Sequence, residues 1–284
     1  MITVQNLYHD YSGNGEYAVD NVSFEMKKGH IFGFLGPSGA GKSTVQNIMT
    51  GLLKLQKGEI LYNGRSITDV GNSFFNKIGV SFEHPNLYTK LTGHENLKYY
   101  AGLFDVPTEE PEKLLNMVGL KDAINKKASN YSKGMKQRLV FARALINNPE
   151  ILFLDEPLSG LDPSTARAIK DMIVERKKAG CTIFLTSHNM FVAEELCDKV
   201  AFINDGKIVA MDSPRNLKLE YGQKSVKVEY KEDGQLNKDI LFIEKEADKK
   251  RFNQLINNKE IETVHSQEAT LEQIFIKLTG RGLS

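Results

Sequence analysis

The stretch GPSGAGKST, Gly36 to Thr44, constrains this chain more than any other. It follows the apolar run IFGFL (Ile31 to Leu35) and precedes a helical pattern, so a G-x-x-x-x-G-K-[ST] string lies between a strand and a helix. Gly36, Gly39 and Gly41 allow backbone conformations that a Cβ forbids, which lets successive N–H groups converge on one point. The helix start behind them adds the positive end of its dipole, which suits a phosphate. In such a loop Lys42 reaches the outer phosphates of a nucleotide, and the Ser43 hydroxyl ligates Mg²⁺. Pro37, Ser38, Ala40 and Thr44 complete the expected cradle. A glycine-rich hairpin between two core elements is the competing reading, and the strand–loop–helix context argues against it.

Composition removes several classes of function. Across 284 residues, 40% are apolar and 26% charged, which describes a soluble globular chain with material for a real core. A net charge of +1 gives no overall bias toward nucleic acid or acidic membranes. The longest apolar runs, IFGFLG and ILFL, fall far short of the ~20 residues that span a bilayer. The N-terminus has no basic start, apolar core or cleavage site, so no secretory signal is expected. Cys181 and Cys197 cannot form a disulfide framework and read as reduced thiols in a cytosolic compartment. The chain is expected to stay inside the cell.

Alternation sets the fold class. Strand patterns at the N-terminus, ITVQNLYH and AVDNVSFEM, flank the turn-rich SGNGE and read as antiparallel. The strand–loop–helix at 31–53 comes next, then the strand patterns EILYN and KIGVSF. Residues 93–147 read as mainly helical, with breaks at Pro107, Pro111 and KKASNYSKG. Beyond ILFLD come a helix from Pro163 to Ala179, the strand CTIFLTS, a helix at 190–197 and the strands KVAFIND and KIVAMD. Strands alternating with helices of this length predict a doubly wound α/β core. After Ser213-Pro214 the chain turns polar and Lys/Glu-rich. A small α+β unit is expected there, with strands SVKVEY, ILFIE and IETVHS and helices ADKKRFNQLINN and TLEQIFIKLTG. Thr270 and Gln273 form a capping box for the last helix.

A second motif sharpens the first. ILFLDEP (Ile151 to Pro157) is an apolar run ending in two carboxylates, as a buried parallel strand reads. The C-terminal end of such a strand is where open α/β sheets bind ligands. Asp155 is placed to hold Mg²⁺, and Glu156 to orient or deprotonate an attacking water. Taken alone, the pair reads more readily as surface acids at a strand end; joined to GPSGAGKST upstream, the reading reverses.

YSKGMKQR (Tyr131 to Arg138) precedes the acidic strand, LSGLD (Leu158 to Asp162) follows it, and TSHNM carries His188 past another strand end. With these segments in this order, residues 1 to about 214 resemble the ATP-binding domain of the ABC transporters. The resemblance makes YSKGM the signature motif, LSGLD the D-loop and His188 the switch histidine. It puts Tyr11 where an aromatic stacks on adenine, with Tyr17 a nearby competitor. It implies ATP and Mg²⁺ as ligands. It also implies a head-to-tail dimer, in which Ser132 and Gly134 of one copy cover the γ-phosphate held by the other.

Two departures from that pattern stand out. The usual signature, Leu-Ser-Gly-Gly-Gln, reads Tyr131-Ser132-Lys133-Gly134-Met135 here, which keeps the serine and second glycine. The family's Q-loop glutamine is replaced by Glu83, a candidate third metal ligand beside Ser43 and Asp155. With EATLEQIFIKLTGRGL near the end, these changes resemble the drug- and polymer-exporter branch.

The resemblance thus predicts an ABC ATPase fold: a P-loop NTPase core, an antiparallel β subdomain and a helical subdomain at about 84–147. The ATP-binding domain is expected over 1–214 and a small α+β accessory domain over 215–284. It implies an ATPase that drives an exporter through a separate integral membrane permease. The ATPase subunits are expected to form a homodimer or heterodimer, to sit at the cytoplasmic face of the membrane and to bind no nucleic acid. The competing reading is a soluble ABC ATPase of nucleic-acid repair or translation. The long coiled coil of the repair members and the paired domains of the translation members are both missing from this sequence.

Overall fold

A computed structural model describes residues 1–222, 224–232 and 234–282. Gln223, Asp233, Leu283 and Ser284, all within the expected accessory domain, lie outside the described residues. Two compact units emerge, Met1–Met211 and Asp212–Gly282.

In the first unit, alternating apolar residues build a one-sided sheet. Ile2, Val4 and Leu7 of β1 (Ile2–His9) and Val22, Phe24 and Met26 of β2 (Val19–Met26) are buried, and Asn21, Ser23 and Glu25, alternating with the latter, face out. The two strands pair antiparallel. β3 (Ile31–Leu35) is buried at every residue and runs into the glycine-rich loop and α1 (Lys42–Met49). The chain then returns through β4 (Lys57–Tyr62) and β5 (Arg65–Ser66), which complete the first sheet in the order β2-β1-β4-β5.

β6 (Ile78–Ser81) re-enters the interior. Three helices follow: α2 (Gly93–Ala101), α3 (Pro111–Met117) and α4 (Lys133–Ala144). Thr92 and Glu95 cap the first with a reciprocal box, and Pro111 occupies the first turn of the second. Ser132 caps the third by accepting from the Met135 N–H at 3.2 Å.

β7 (Ile151–Asp155), α5 (Pro163–Lys178), β8 (Thr182–Ser187), α6 (Met190–Leu196), β9 (Lys199–Asn204) and β10 (Lys207–Asp212) finish the central sheet. Its order is β10-β9-β3-β8-β7-β6, and β6, β7, β8, β3 and β9 are mutually parallel. Every residue of β3 and of β8 is buried, as in strands covered on both faces.

Phe24 ties the antiparallel sheet to the central one. Its ring lies 4.9 Å from Phe32, 5.6 Å from Phe34 and 6.0 Å from Phe184, all buried. Burying each such ring contributes on the order of 2–3 kcal/mol, so this cluster holds β3 and β8 firmly under the loop that each one feeds. Cys181 and Cys197 are buried and free, and burial pushes the Cys181 thiol up to about 12.

The second unit opens with α7 (Pro214–Tyr221), where the sequence had suggested only a boundary at Ser213-Pro214. Ser213 accepts from the Asn216 N–H at 3.1 Å and Pro214 stands in the first turn, so the same two residues start a helix. β11 (Ser225–Glu232), β12 (Gln235–Phe242), α8 (Glu246–Asn258), β13 (Glu260–Gln267) and α9 (Leu271–Thr279) follow. The sheet is antiparallel in the order β12-β11-β13. β12 starts at Gln235, well before the apolar ILFIE, because Glu232 pairs with Gln235 across the hairpin and the polar residues are zipped in behind it. Thr270 and Gln273 make the reciprocal cap of α9.

Candidate functional site

At the C-terminal ends of β3, β7 and β8 lies a cleft of about 540 Å³. Its walls carry Tyr11, Ser38, Gly39, Gly41, Lys42, Ser43, Thr44, Glu83, Asp155, Glu156 and His188. Residues separated by up to 177 positions in sequence thus face one space.

The loop's three glycines have different jobs. Gly39 (φ 80°) and Gly41 (φ 103°) occupy the left-handed region, as a converging run of N–H groups requires. Gly36 does not; instead a Cβ there would lie 2.2 Å from the Ile203 carbonyl oxygen of β9. Conformational freedom was therefore the wrong reason for Gly36, which serves close packing. Neither Gly36, Pro37 nor Ala40 lines the cleft; Ala40 is buried, with its carbonyl accepting from the Gly206 N–H.

The helix behind the loop is left open for an anion. Gly41 caps α1 with no side-chain acceptor, and its first turn holds no acid. Every other α-helix among the described residues has a capping side chain or an acid in its first turn. The first-turn N–H groups of α1 and its dipole are thus unanswered by the protein.

Lys42 is buried, and its Nζ donates to the carbonyls of Gly36 (2.8 Å) and Pro37 (2.9 Å). Burial holds its ammonium below the usual lysine range, opposed by the negative charges of Glu156, Asp155 and Glu83. A cation so placed is a ready counter-charge for phosphate.

Thr186, fully buried on β8, organises both acids of β7's end. Its hydroxyl donates to Asp155 Oδ1, and its carbonyl and Oγ1 take the Glu156 N–H at 3.3 and 3.2 Å. The pairing of Asp155 with Thr186 across parallel strands makes this possible. Sequence reasoning passed over Thr186, because nothing local in FLTSH announces that register. Asp155 Oδ2 accepts from Ser43 Oγ at 3.0 Å. Burial raises the Asp155 carboxyl above its ordinary range, resisted by the bonds from Thr186 and Ser43.

Glu156 takes a left-handed φ of 47°, a conformation that a non-glycine residue keeps only where its surroundings hold it. Its carboxylate is held in turn. Oε1 accepts from the His188 N–H at 2.8 Å and lies 2.8 Å from His188 Nδ1, while the Ser187 hydroxyl stands 3.4 Å from Oε2. The turn aims a buried carboxylate into the cleft with a half-exposed imidazole against it.

Tyr11 is 62% exposed, yet its hydroxyl is 3.1 Å from Thr44 Oγ1. Tyr17 stands edge-on to Tyr8 at 5.4 Å and does not line the cleft. Glu83 is exposed at the rim, and its charge acts on both Lys42 and Asp155. Ser132 and Gly134 are absent from this cleft; they start α4, where Lys133 lies against Gly160 and Gly134 faces Leu161.

The donor set suits one kind of metal. Among the described residues no cluster of three or more His, Cys, Asp or Glu side chains forms a cation cage. A hydroxyl (Ser43) and two carboxylates (Asp155, Glu83) facing one cleft instead match Mg²⁺, which takes one or two carboxylates and fills its remaining positions with water and substrate phosphates.

A glycine loop opening an uncapped helix, a buried lysine and two aligned acids define a phosphate-binding-loop nucleoside triphosphatase. The model of the ABC transporter family matches residues 19–159. A fluoroquinolones export ATP-binding protein of Mycobacterium tuberculosis is 48% identical over 285 residues, spanning 100% of this chain and 95% of that protein. The methionine import ATP-binding protein MetN of Geobacillus kaustophilus is 42% identical over 74% of this chain and 64% of its own length. An ATP-binding cassette solved as a dimer in a post-hydrolysis state, bound to ADP and Pi, superposes with a TM-score of 0.68. It is 28% identical, over 75% of this chain and 98% of that one. The chain belongs to the ATP-binding proteins of the ABC transporters, and its fold is the ABC ATPase fold.

Proposed function

We propose that this chain hydrolyses ATP to drive export through a separate membrane permease, working as a head-to-tail dimer at the cytoplasmic face of the membrane. The observation that carries the hydrolytic part is Glu156. It is a buried carboxylate in a left-handed turn, fixed by His188 and Thr186, and it faces the same cleft as Lys42.

In this reading the N–H groups of the loop and of the first turn of α1 receive the β- and γ-phosphates, and Lys42 neutralises their charge. Tyr11 supports the adenine. Ser43, Asp155 and Glu83 hold Mg²⁺, which when bound screens the charge of the phosphates. Glu156 orients the attacking water and accepts its proton, with His188 steadying the carboxylate and the transferred γ-phosphate. Ser132 and Gly134 stand outside the cleft of their own chain, as they must if they complete the site of a second copy. The second copy is either an identical subunit or a related one.

Export is supported by coverage. The fluoroquinolone export relative matches the whole chain, accessory region included, whereas the methionine import relative matches 74% of it. No helix among the described residues is long and apolar enough to cross a membrane, so the substrate path falls to a partner. We place the nucleotide domain at 1–214 and the accessory domain at 215–284.

Glu156→Gln tests the mechanism. The neutral amide keeps the shape but takes no proton, so ATP binding should persist while hydrolysis falls by about 10²–10⁴-fold. Size measurement with ATP and Mg²⁺ should then find an accumulated dimer. A variant that hydrolyses at the normal rate removes Glu156 from the reaction, and one that stays monomeric with ATP, alone and with its permease, removes the dimer.

A further inference from the structure

The segment joining β1 to β2 carries Tyr11 and should be loose. It reads Asp10-Tyr11-Ser12-Gly13-Asn14-Gly15-Glu16-Tyr17, it is exposed after Asp10, and its two glycines lose more backbone freedom on ordering than other residues do. The structure instead shows it tied to one buried carboxylate. Asp10 Oδ1 accepts from the N–H groups of Ser12 (2.8 Å) and Gly13 (2.9 Å), and Oδ2 accepts from Gly15 at 2.7 Å. These bonds hold the carboxyl below its usual range, the Gly15 bond most of all.

The anchor is itself anchored. The Gln56 amide pairs with both backbone groups of Asp10, accepting from its N–H and donating to its carbonyl at 2.8 Å each. Gln56 thereby continues, with a side chain, the ladder that β1 makes with β4. Ala18 closes the loop by donating to the His9 carbonyl at 2.9 Å. His9, buried, meets the Tyr11 ring edge-on at 4.6 Å. From the other side, Thr44 Oγ1 meets the Tyr11 hydroxyl at 3.1 Å. An exposed ring is therefore held by a near-perpendicular imidazole, at its hydroxyl and in the backbone on both sides.

We propose that Asp10 is a positioning residue for nucleotide binding: its carboxylate shapes the 11–16 loop so that the Tyr11 ring stands ready at the base end of the cleft. The proposal rests on Tyr11 supporting the adenine. Asp10 acts on the base and not on the phosphates, since its bonds end in the loop and the groups that receive the phosphates come from residues 38–44. Holding the loop before the ligand arrives lowers the ordering cost of binding.

The test uses the full chain and its Asp10→Ala, Asp10→Asn and Tyr11→Ala variants, with thermal unfolding to establish that each is folded. ATP affinity and inorganic tripolyphosphate affinity are measured for each, together with kcat and KM for ATP. Asp10→Ala should weaken ATP binding by about tenfold through KM, with kcat retained and tripolyphosphate binding unaltered. Asp10→Asn keeps one oxygen for Ser12 and Gly13 and loses the partner of Gly15, so it should fall between. Combined with Tyr11→Ala, Asp10→Ala should add little, because both remove the same support.

Unchanged ATP affinity in Asp10→Ala, an equal loss of ATP and tripolyphosphate binding, or full additivity with Tyr11→Ala would each overturn the role of Asp10. Wild-type ATP affinity in Tyr11→Ala alone would instead overturn the adenine support, and the positioning role with it.

Discussion

The two units of this chain hold their cavities on opposite terms. In the first, the cleft stands at the ends of parallel strands buried on both faces, and it converges a lysine, two buried acids and a histidine. In the second, a larger cavity of about 690 Å³ lies among Tyr221, Ile240, Phe242, Thr270 and Lys277. Three of its polar side chains are already used: Thr270 caps α9 with Gln273, and Lys277 donates to the Tyr221 carbonyl. Size alone does not make a reaction site. What distinguishes the smaller cleft is polar groups that the protein brings together and leaves without a full set of partners.

The units also differ in core. Phe24, Phe32, Phe34, Phe153 and Phe184 pack ring against ring in the first. The cluster in the second centres on Val228, Tyr230, Leu241 and Leu255, with Leu236, Ile240 and Val264 left largely in the open. A three-stranded sheet covered in this way has little margin, since small units bury a smaller share of their surface.

The largest effect should come from Lys42→Ala. Removing the buried cation from the cleft should lower ATP hydrolysis by about 10³-fold or more, with the second unit untouched. Steady-state phosphate release measures it. Full turnover with tight ATP binding would make the converging groups of the first cleft incidental, and the contrast between the two cavities would collapse.

A cavity in the small core comes next. Leu241→Ala should cost about 2–5 kcal/mol within the second unit, enough to open it to protease while ATP affinity stays normal. Limited proteolysis followed by nucleotide binding reads both halves. Parallel loss of ATP affinity would show that the units are not energetically separate.

The smallest effect is a cap. Thr270→Ala removes the side-chain acceptor for the Gln273 N–H and should destabilise α9 by about 1 kcal/mol. Protection of the α9 amides from hydrogen exchange should fall by about one order of magnitude, with the helices of the first unit unaffected. Unaltered α9 protection would mean that tertiary contacts, and not the cap, hold that helix.

Much of this was readable before any fold. The glycine spacing, Lys42 and Ser43, the acidic strand end and the cap at Thr270 are local signals, because a loop, a strand end and a helix start each depend on a few neighbouring residues. The sequence also marked β7 as buried, since a strand covered on both faces reads as a continuous apolar run. Local reading was weaker where a signal had two meanings. Ser213-Pro214 serves both as a boundary and as a helix start, and the polar first half of β12 is a strand only because β11 pairs with it.

The rest belongs to register and packing. Thr186 meets Asp155 and Glu156 only because β8 lies beside β7 in a given register, and that register is set by the whole sheet. Gly36 is glycine because Ile203, far along the chain, comes within 2.2 Å of where its Cβ would be. Asp10 looks like any turn aspartate until its carboxylate is found beneath three amides with Gln56 behind it. Backbone conformation and charge are written residue by residue; which residues meet is decided by the burial of surfaces that no local window contains.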